Sequence, residues 1–524
     1  MQSTLGNKGK FDFNGLFTFE MANNHQGSVE HGKRIIQEMA ALARKHGVRA
    51  AVKLQFRDLD TFIHPDYRES TENKHIQRFL STRLSEDEFG ELLAEIKSHG
   101  LLTMVTPFDE ASVDAIERLG ADIIKIGSSS AHDWPLLERI ADTGKPVICS
   151  TGGLMIRDID RVVSFFQHRG VHFAIMYCVS MYPTPNNKLH LNQIAIMRNR
   201  YPDITVGWST HESPSDTHTV RLAYAKGARI FEKHVGVPTD EIKLNAYSAT
   251  PEEADAWVAA YKEAVEACGD NAEREIDEKE TADLKSLMRG VYAKKEIKAG
   301  EPIKRSDVFF AMPIMEGQLT SGKWKEGLLA DRDYHVHKPV SERIYPNHKS
   351  KKEIIYSTIH AVKGMLNTAR IPLGHDFSVE ISHHYGVENL HKIGCLLIEC
   401  INREYAKKII VQLPGQWNPV HYHKKKDETF QLLYGELYVE IEGKKKMLYP
   451  GDSLWVPRGV WHSFGTATGA IFEEISTASF NDDSFYVDRE IAKMARDDRK
   501  TRLQNWGRHQ FDEVKEEELA KSLR

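Results

Sequence analysis

From Leu16 to Cys268 the chain alternates short apolar runs with amphipathic stretches. The runs are LFTFEMA (16–22), AAVKLQF (50–56), LLTMVTPF (101–108), ADIIKIG (121–127), PVICST (146–151), HFAIMYC (172–178), ITVGW (204–208) and ARIFEKH (228–234). Each is short and β-rich, as suits a strand covered on both faces. Helical patterns such as HGKRIIQEMAALARKHG (31–47) and EDEFGELLAEIKSHG (86–100) lie between them. Ser85 predicts an N-cap for the second and Gly100 a C-cap. Eight βα units in about 250 residues is the count and length of a (β/α)8 TIM barrel. A doubly wound open sheet is the alternative, but no G-x-G-x-x-G turn follows the first run. The reading is α/β, with the barrel over 1–280.

Beyond the barrel the pattern changes. The acidic stretch 270–287 reads as helix, and VYAKKEIKAGEPIKRSDVFFAMPI (291–314) as a hairpin-like module turning at Ala299-Gly300. That module is too short for a large core of its own and is expected to pack on something else. A charged, helix-poor linker including NHKSKKE (347–353) follows. From 354 to 490, alternating strands such as ELYVEIEG (436–443) imply an antiparallel β-fold. The run from REIAKMARDDRKTRLQNW to EVKEEELAKSLR reads as a charged helical tail over 491–524.

Composition narrows the function. The chain has 524 residues, 41% hydrophobic and 28% charged, with a net charge of −5. That suits a multi-domain globular protein and excludes a disordered one. There is no global basic field to draw nucleic acid or a membrane surface. No apolar run approaches the ~20 residues of a membrane helix, and the first residues lack a signal-peptide core. The five cysteines are scattered without zinc-finger spacing or a disulfide framework, so a cytoplasmic location is expected.

The apolar runs end in chemistry: Glu20, Lys53 with Gln55, Thr106, Lys125 with Ser128, Ser150, Tyr182, His211 and His234. In a barrel these ends converge on one mouth, where the active sites of such folds lie. Lys53 and Lys125 with Ser128, Ser150 and Thr106 form a donor-rich site for a ligand bearing phosphate and carboxylate. Surface lysines in salt bridges are the alternative, but both follow apolar strand residues directly. His211 and His234 end neighbouring strands, where two imidazoles can share a divalent ion.

The segments FEMANNHQG (19–27), VKLQF (52–56), TPFD (106–109), IKIGS (124–128), STGG (150–153), YPTP (182–185), GWSTHES (207–213) and FEKHVG (231–236) resemble, in order and spacing, the sialic acid synthase family. The resemblance covers about 15–345. It implies condensation of phosphoenolpyruvate with an aldose such as N-acetylmannosamine, giving a sialic-acid-like 3-deoxy-2-keto sugar acid for surface polysaccharide. It implies that Lys53, Thr106, Lys125, Ser128 and Ser150 hold phosphoenolpyruvate, and that Ser180 and Tyr182 line the substrate pocket. His211 and His234 would bind manganese, with Glu20, Gln55 and His234 around the reacting centre. Region 286–345 would be an SAF (antifreeze-like) lid, which in the family covers the partner's active site in a swapped homodimer. The departures are Ser130 for a glutamate, Tyr177 and Val179 for a histidine and a threonine, Ala311-Met312-Pro313 for a K-R-P, and Leu244, beside Asn245, for an aspartate. They fall on the sugar side and imply retained chemistry on a different acceptor.

The third region carries Gly415-x5-His421-x-His423-x4-Glu428-x6-Gly435, then Gly451-x5-Pro457-x-Gly459-x2-His462. Both match the cupin motifs, with Thr466 in place of the final Asn, and imply a double-stranded β-helix. His421, His423, Glu428 and His462 would hold a second divalent metal, of identity left open among manganese, iron, nickel and zinc. The reaction also stays open: sugar isomerisation or epimerisation, sensing, or scaffolding. Lys424, Lys425 and Lys426 could meet an anionic sugar or form a solvated turn. A non-catalytic sugar-binding scaffold is the alternative to an enzyme.

Overall fold

The computed structural model describes residues 11–69, 72–270, 273–346, 349–374 and 376–506, in two compact units, 1–275 and 276–524. The first unit is a closed barrel of eight parallel strands in sequence order. They are β1 (Leu16–Glu20), β2 (Arg49–Phe56), β3 (Leu102–Pro107), β4 (Ile123–Ile126), β5 (Val147–Ser150), β6 (Phe173–Cys178), β7 (Val206–Thr210) and β8 (Ile230–His234). Strand periodicity splits each into two faces. Phe17, Phe19, Val52, Leu54, Val105, Ile124, Trp208 and Phe231 pack outward under the helices. Leu16, Ala51, Met104, Ile123, Ile148, Ala174, Met176 and Ile230 fill the interior as a separate cluster. Two residues further along the same inner faces, the side chains turn polar, which places Lys53, Thr106, Lys125 and Ser150 above an apolar plug.

Helix ends follow local chemistry. Ser28 caps the helix Val29–His46, and Gly47 ends it at φ 62°. Ser85 and Glu88 form a reciprocal capping box on Glu86–Ser98. His99 occupies the C-cap there, and Gly100 stands one residue beyond it, at φ 74°.

In the second unit, a small β-rich region pairs β9 (Gly290–Ala293) with β11 (Val308–Ala311), and β10 (Pro302–Ile303) with β12 (Leu328–Leu329). The expected hairpin at Ala299-Gly300 is therefore replaced by pairing across longer loops. The region also has a core of its own, with Val291, Ile297, Ile303, Leu319, Tyr334 and Val340 buried together.

The cupin follows as two packed antiparallel sheets. Its strands are β13 (Ser378–Ser382), β14 (Cys395–Asn402), β15 (Tyr405–Gln412), β16 (Trp417–Tyr422), β17 (Glu428–Gly435), β18 (Leu437–Ile441), β19 (Lys444–Leu448), β20 (Ser453–Val456), β21 (His462–Gly465), β22 (Ala470–Thr477), β23 (Phe485–Tyr486) and β24 (Lys500–Leu503). One sheet runs β20-β17-β22-β15-β14-β13-β24 and the other β19-β18-β21-β16-β23.

Three further expectations need correction. In the acidic stretch 270–287 the helix spans Glu278–Ser286; residues 271 and 272 lie outside the described residues. The charged linker ends early, because Ser350 and Glu353 form a capping box that starts the helix Lys351–Thr368. Residues 347 and 348 of that linker are outside the described residues. The tail is not a solvated helix. After the short helices Arg489–Lys493 and Arg496–Arg499, β24 pairs antiparallel with β13, and Trp506 is buried in the cupin core. Lys500 and Arg502 fall on one face of that strand, Thr501 and Leu503 on the other, a period-two pattern that the charged composition disguises. The stretch 507–524, including EVKEEELAKSLR, lies outside the described residues.

Candidate functional site

At the barrel mouth the strand register sets Glu20 beside both Lys53 and His234. Lys53 is buried and forms ion pairs with Glu20 and, at 3.1 Å, with Glu232. Lys125, equally buried, donates to Ser150 Oγ at 2.7 Å and lies 3.3 Å from Glu232. Ser209 Oγ adds a 3.0 Å hydrogen bond to Glu232. Burial pulls the Lys53 ammonium down, but Glu20 and Glu232 outweigh it and hold Lys53 above its usual range. Burial wins at Lys125, whose pKa is lowered although Glu232 opposes the change. Glu232 is kept ionised, since Lys125 and Lys53 overcome the cost of burying its charge.

Ser128 Oγ accepts from the backbone N–H of Gly152 at 2.9 Å. A Cβ on Gly152 would press on Ser180 Oγ, on Ser128 Oγ at 2.8 Å and on Cys178 Sγ at 3.1 Å. Glycine thus leaves room for Ser128 and Ser180 to converge. Thr106 is buried with its hydroxyl lacking a hydrogen-bond partner among the described residues. Gln55 instead accepts from Arg57 at 3.1 Å.

The His211 and His234 rings lie 5.3 Å apart. His211 Nδ1 sits 3.0 Å from the Val179 carbonyl, which can only accept, so Nδ1 carries the proton and Nε2 the lone pair. Desolvation, with His234 next, lowers the His211 pKa to about 3. Desolvation, then Lys53, lowers His234 to about 3. Two neutral imidazoles beside an ionised carboxylate fit a divalent ion with open positions. Tyr182 packs on His211 at 4.3 Å and Tyr247 on His234 at 5.1 Å.

Two members of this cluster were not singled out from the sequence, Glu232 and Tyr247. Glu232 precedes His234 by two residues on one strand and so shares its inward face, a signal present in FEKH. Tyr247 carried no such signal, because it stands on a loop where Asn245 Oδ1 accepts from its N–H at 3.1 Å. Among the departures, Tyr177 faces the outer helices and donates to the Leu189 carbonyl at 2.9 Å, so it does not alter the mouth.

The cupin holds a second cluster. The donor atoms of His421, His423 and His462 lie within 4.8 Å of one another, all three residues buried. Each Nδ1 bonds a backbone carbonyl: Pro419 at 2.8 Å, Asp483, and Val460 at 3.0 Å. Each Nε2 is therefore left as a donor toward a metal. Glu428 Oε1 lies 2.9 Å from His462 Nε2 and 3.8 Å from His423 Nε2, and its other oxygen pairs with Lys426. Glu428, the expected carboxylate, thus stands beside two of the three histidines, His462 and His423. Lys426 is buried in an ion pair, whereas Lys424 and Lys425 are exposed.

The profile of the NeuB family matches residues 39–273, and that of the cupin domain residues 409–473. A solved structure from Chromobacterium violaceum, described as a spore coat polysaccharide biosynthesis protein E, is similar with 45% identity and a TM-score of 0.61, covering 63% of this chain and 98% of that one. Drosophila melanogaster N-acetylneuraminate-9-phosphate synthase is 32% identical over 41% of this chain, and only 58% of that enzyme's length is matched. The N,N'-diacetyllegionaminic acid synthase of Campylobacter jejuni is 26% identical over 60% of this chain and 92% of its own. No helix among the described residues is long and apolar enough to cross a membrane.

Proposed function

The chain belongs to the NeuB family, and on that footing we propose that its barrel condenses phosphoenolpyruvate with an aldose, releasing phosphate and giving a 3-deoxy-2-keto sugar acid. The observation that carries the reading is the pair of buried lysines, Lys53 and Lys125, bridged by Glu232 next to the two imidazoles. Buried cations fixed among hydroxyls are poised for a small polyanion, and a decayed scaffold would have little reason to keep them. Lys53, Lys125, Ser128, Ser150 and Thr106 hold the phosphate and carboxylate, with the Thr106 hydroxyl, unpartnered among the described residues, available to donate. The C3 carbon of phosphoenolpyruvate attacks the aldehyde carbon, water adds at C2, and phosphate leaves. Lys53 and Lys125 offset the charge that gathers on the departing group. Glu20 and Glu232 keep Lys53 protonated and orient it. Tyr182 and Tyr247 cover the imidazoles from the solvent side. A divalent ion held by His211 and His234, manganese by the resemblance, would supply Lewis-acid polarisation of the acceptor's aldehyde oxygen.

The changed sugar-side positions favour an acceptor other than N-acetylmannosamine. In this reading region 286–345 is the SAF lid of a homodimer, and the enzyme works in the cytoplasm. The test is phosphate release from phosphoenolpyruvate with manganese, across N-acyl and plain hexoses and pentoses. Release that depends on one sugar supports the synthase and identifies its acceptor; no release with any sugar counts against it.

A further inference from the structure

The cupin cavity extends from the histidine cluster across the inner face of the larger sheet. Along that face Glu474 of β22 pairs in register with Lys408 of β15, and Glu380 of β13 with Arg502 of β24. Lys426 Nζ joins the two ends, touching Glu428 and lying 2.9 Å from Glu474 Oε1. Lys408 Nζ lies 3.5 Å from the same oxygen and 2.7 Å from Ser479 Oγ. At the far end one carboxylate, Glu380, is shared by Arg496, by Lys500 at 2.5 Å and by Arg502 at 3.6 Å. Arg496 Nε is buried there without a hydrogen-bond partner among the described residues.

The charge balance gives this arrangement a meaning. Among the described residues lining the cavity, five lysines and arginines face five aspartates and glutamates. The protein is therefore near neutrality there by itself, and a divalent ion held by the histidines and Glu428 would leave the lining with a net positive charge. A net positive lining favours a ligand that brings negative charge. The cations are also unevenly placed, three around Glu380 and two around Glu474.

We propose that the cupin is a second small-molecule site, separate from the barrel, for a monosaccharide bearing one acidic group. Its hydroxyl or oxo oxygens face the His421, His423 and His462 end, and its acid group lies among Arg496, Lys500, Arg502 and Lys408. His384 lines the same cavity, buried, with a left-handed φ of 33° and an Nδ1 without a partner among the described residues. Backbone strain held at a lining residue accords with a binding role. The site does not depend on the barrel's reaction.

The test uses the full chain loaded with Mn2+ and isothermal titration with D-glucuronate, D-mannose 6-phosphate and neutral D-mannose. One or both acids should bind while D-mannose does not, and whichever binds separates a carboxylate site from a phosphate site. His421→Ala with His423→Ala should abolish that binding. Arg502→Gln, at a half-exposed side chain, should weaken it about tenfold or more with the melting temperature kept, as expected for a lost charge-assisted hydrogen bond. Equal binding of D-mannose, no binding of any sugar, or an unchanged affinity in Arg502→Gln would each overturn the proposal.

Discussion

Lys53 and Glu232 meet across the barrel mouth, Nζ to Oε1 at 3.1 Å, from the two strands that flank β1. The carboxylate also reaches Lys125 and Ser209, so one side chain ties together β2, β4, β7 and β8. Removing its charge leaves two buried lysines with one carboxylate fewer. Glu232→Gln is expected to lower phosphoenolpyruvate-dependent turnover at least a hundredfold. It should also destabilise the barrel by about 3–5 kcal/mol, the usual cost of breaking a buried pair. Steady-state kinetics beside urea unfolding measures both, and near-wild-type values in the two would refute the assigned role.

The two imidazole clusters should load independently. Metal analysis of the full chain is expected to give two divalent ions per chain, falling to one in His211→Ala and to one in His421→Ala/His423→Ala. A stoichiometry unchanged by His211→Ala would remove the barrel metal site.

Gly152 is the point where Ser128, Ser180 and Cys178 converge. A methyl group there has no room, so Gly152→Ala is expected to raise KM for phosphoenolpyruvate by tenfold or more. Overpacking should cost about 1–3 kcal/mol of stability. An unaltered KM would mean that the hydroxyls do not hold that substrate.

Acid should weaken both units. Burial is the main cause that lowers His25 to about 4 and His384 to about 3, from 6.5. Both stay neutral in the fold, while the unfolded chain protonates them near 6.5, so unfolding takes up protons. Their contribution to stability is therefore full above pH 6.5 and declines as the pH falls toward 4. Melting scans from pH 7.5 to 4.5 should show this decline, flattened for the barrel transition by His25→Gln and for the cupin transition by His384→Gln. Slopes that the variants leave untouched would contradict the assignment.

The barrel was legible in the sequence because doubly covered strands read as plain apolar runs, and because the strand ends carried their chemistry in order. The cupin's histidine cluster was legible because two histidines at spacing two share a face. What escaped the sequence was of another kind. Glu232 was visible only by asking which neighbours of His234 point inward. Tyr247 depends on a loop conformation. The strand Lys500–Leu503 looked like a solvated charge run, because its inward residues are cations matched to Glu380, 120 positions earlier in the chain. Composition cannot show a buried charge whose partner is that distant.

That last strand ties the cupin's completeness to the order of synthesis. Until residue 500 has left the ribosome, β13 is an open sheet edge and Glu380 is a carboxylate still waiting for Lys500 and Arg502. A chain cut short there presents a sticky edge and a misplaced charge together, the features that invite aggregation and proteolytic removal. A chain truncated before residue 500 is therefore expected to lose stability in the cupin together with two cations of the cavity, Lys500 and Arg502.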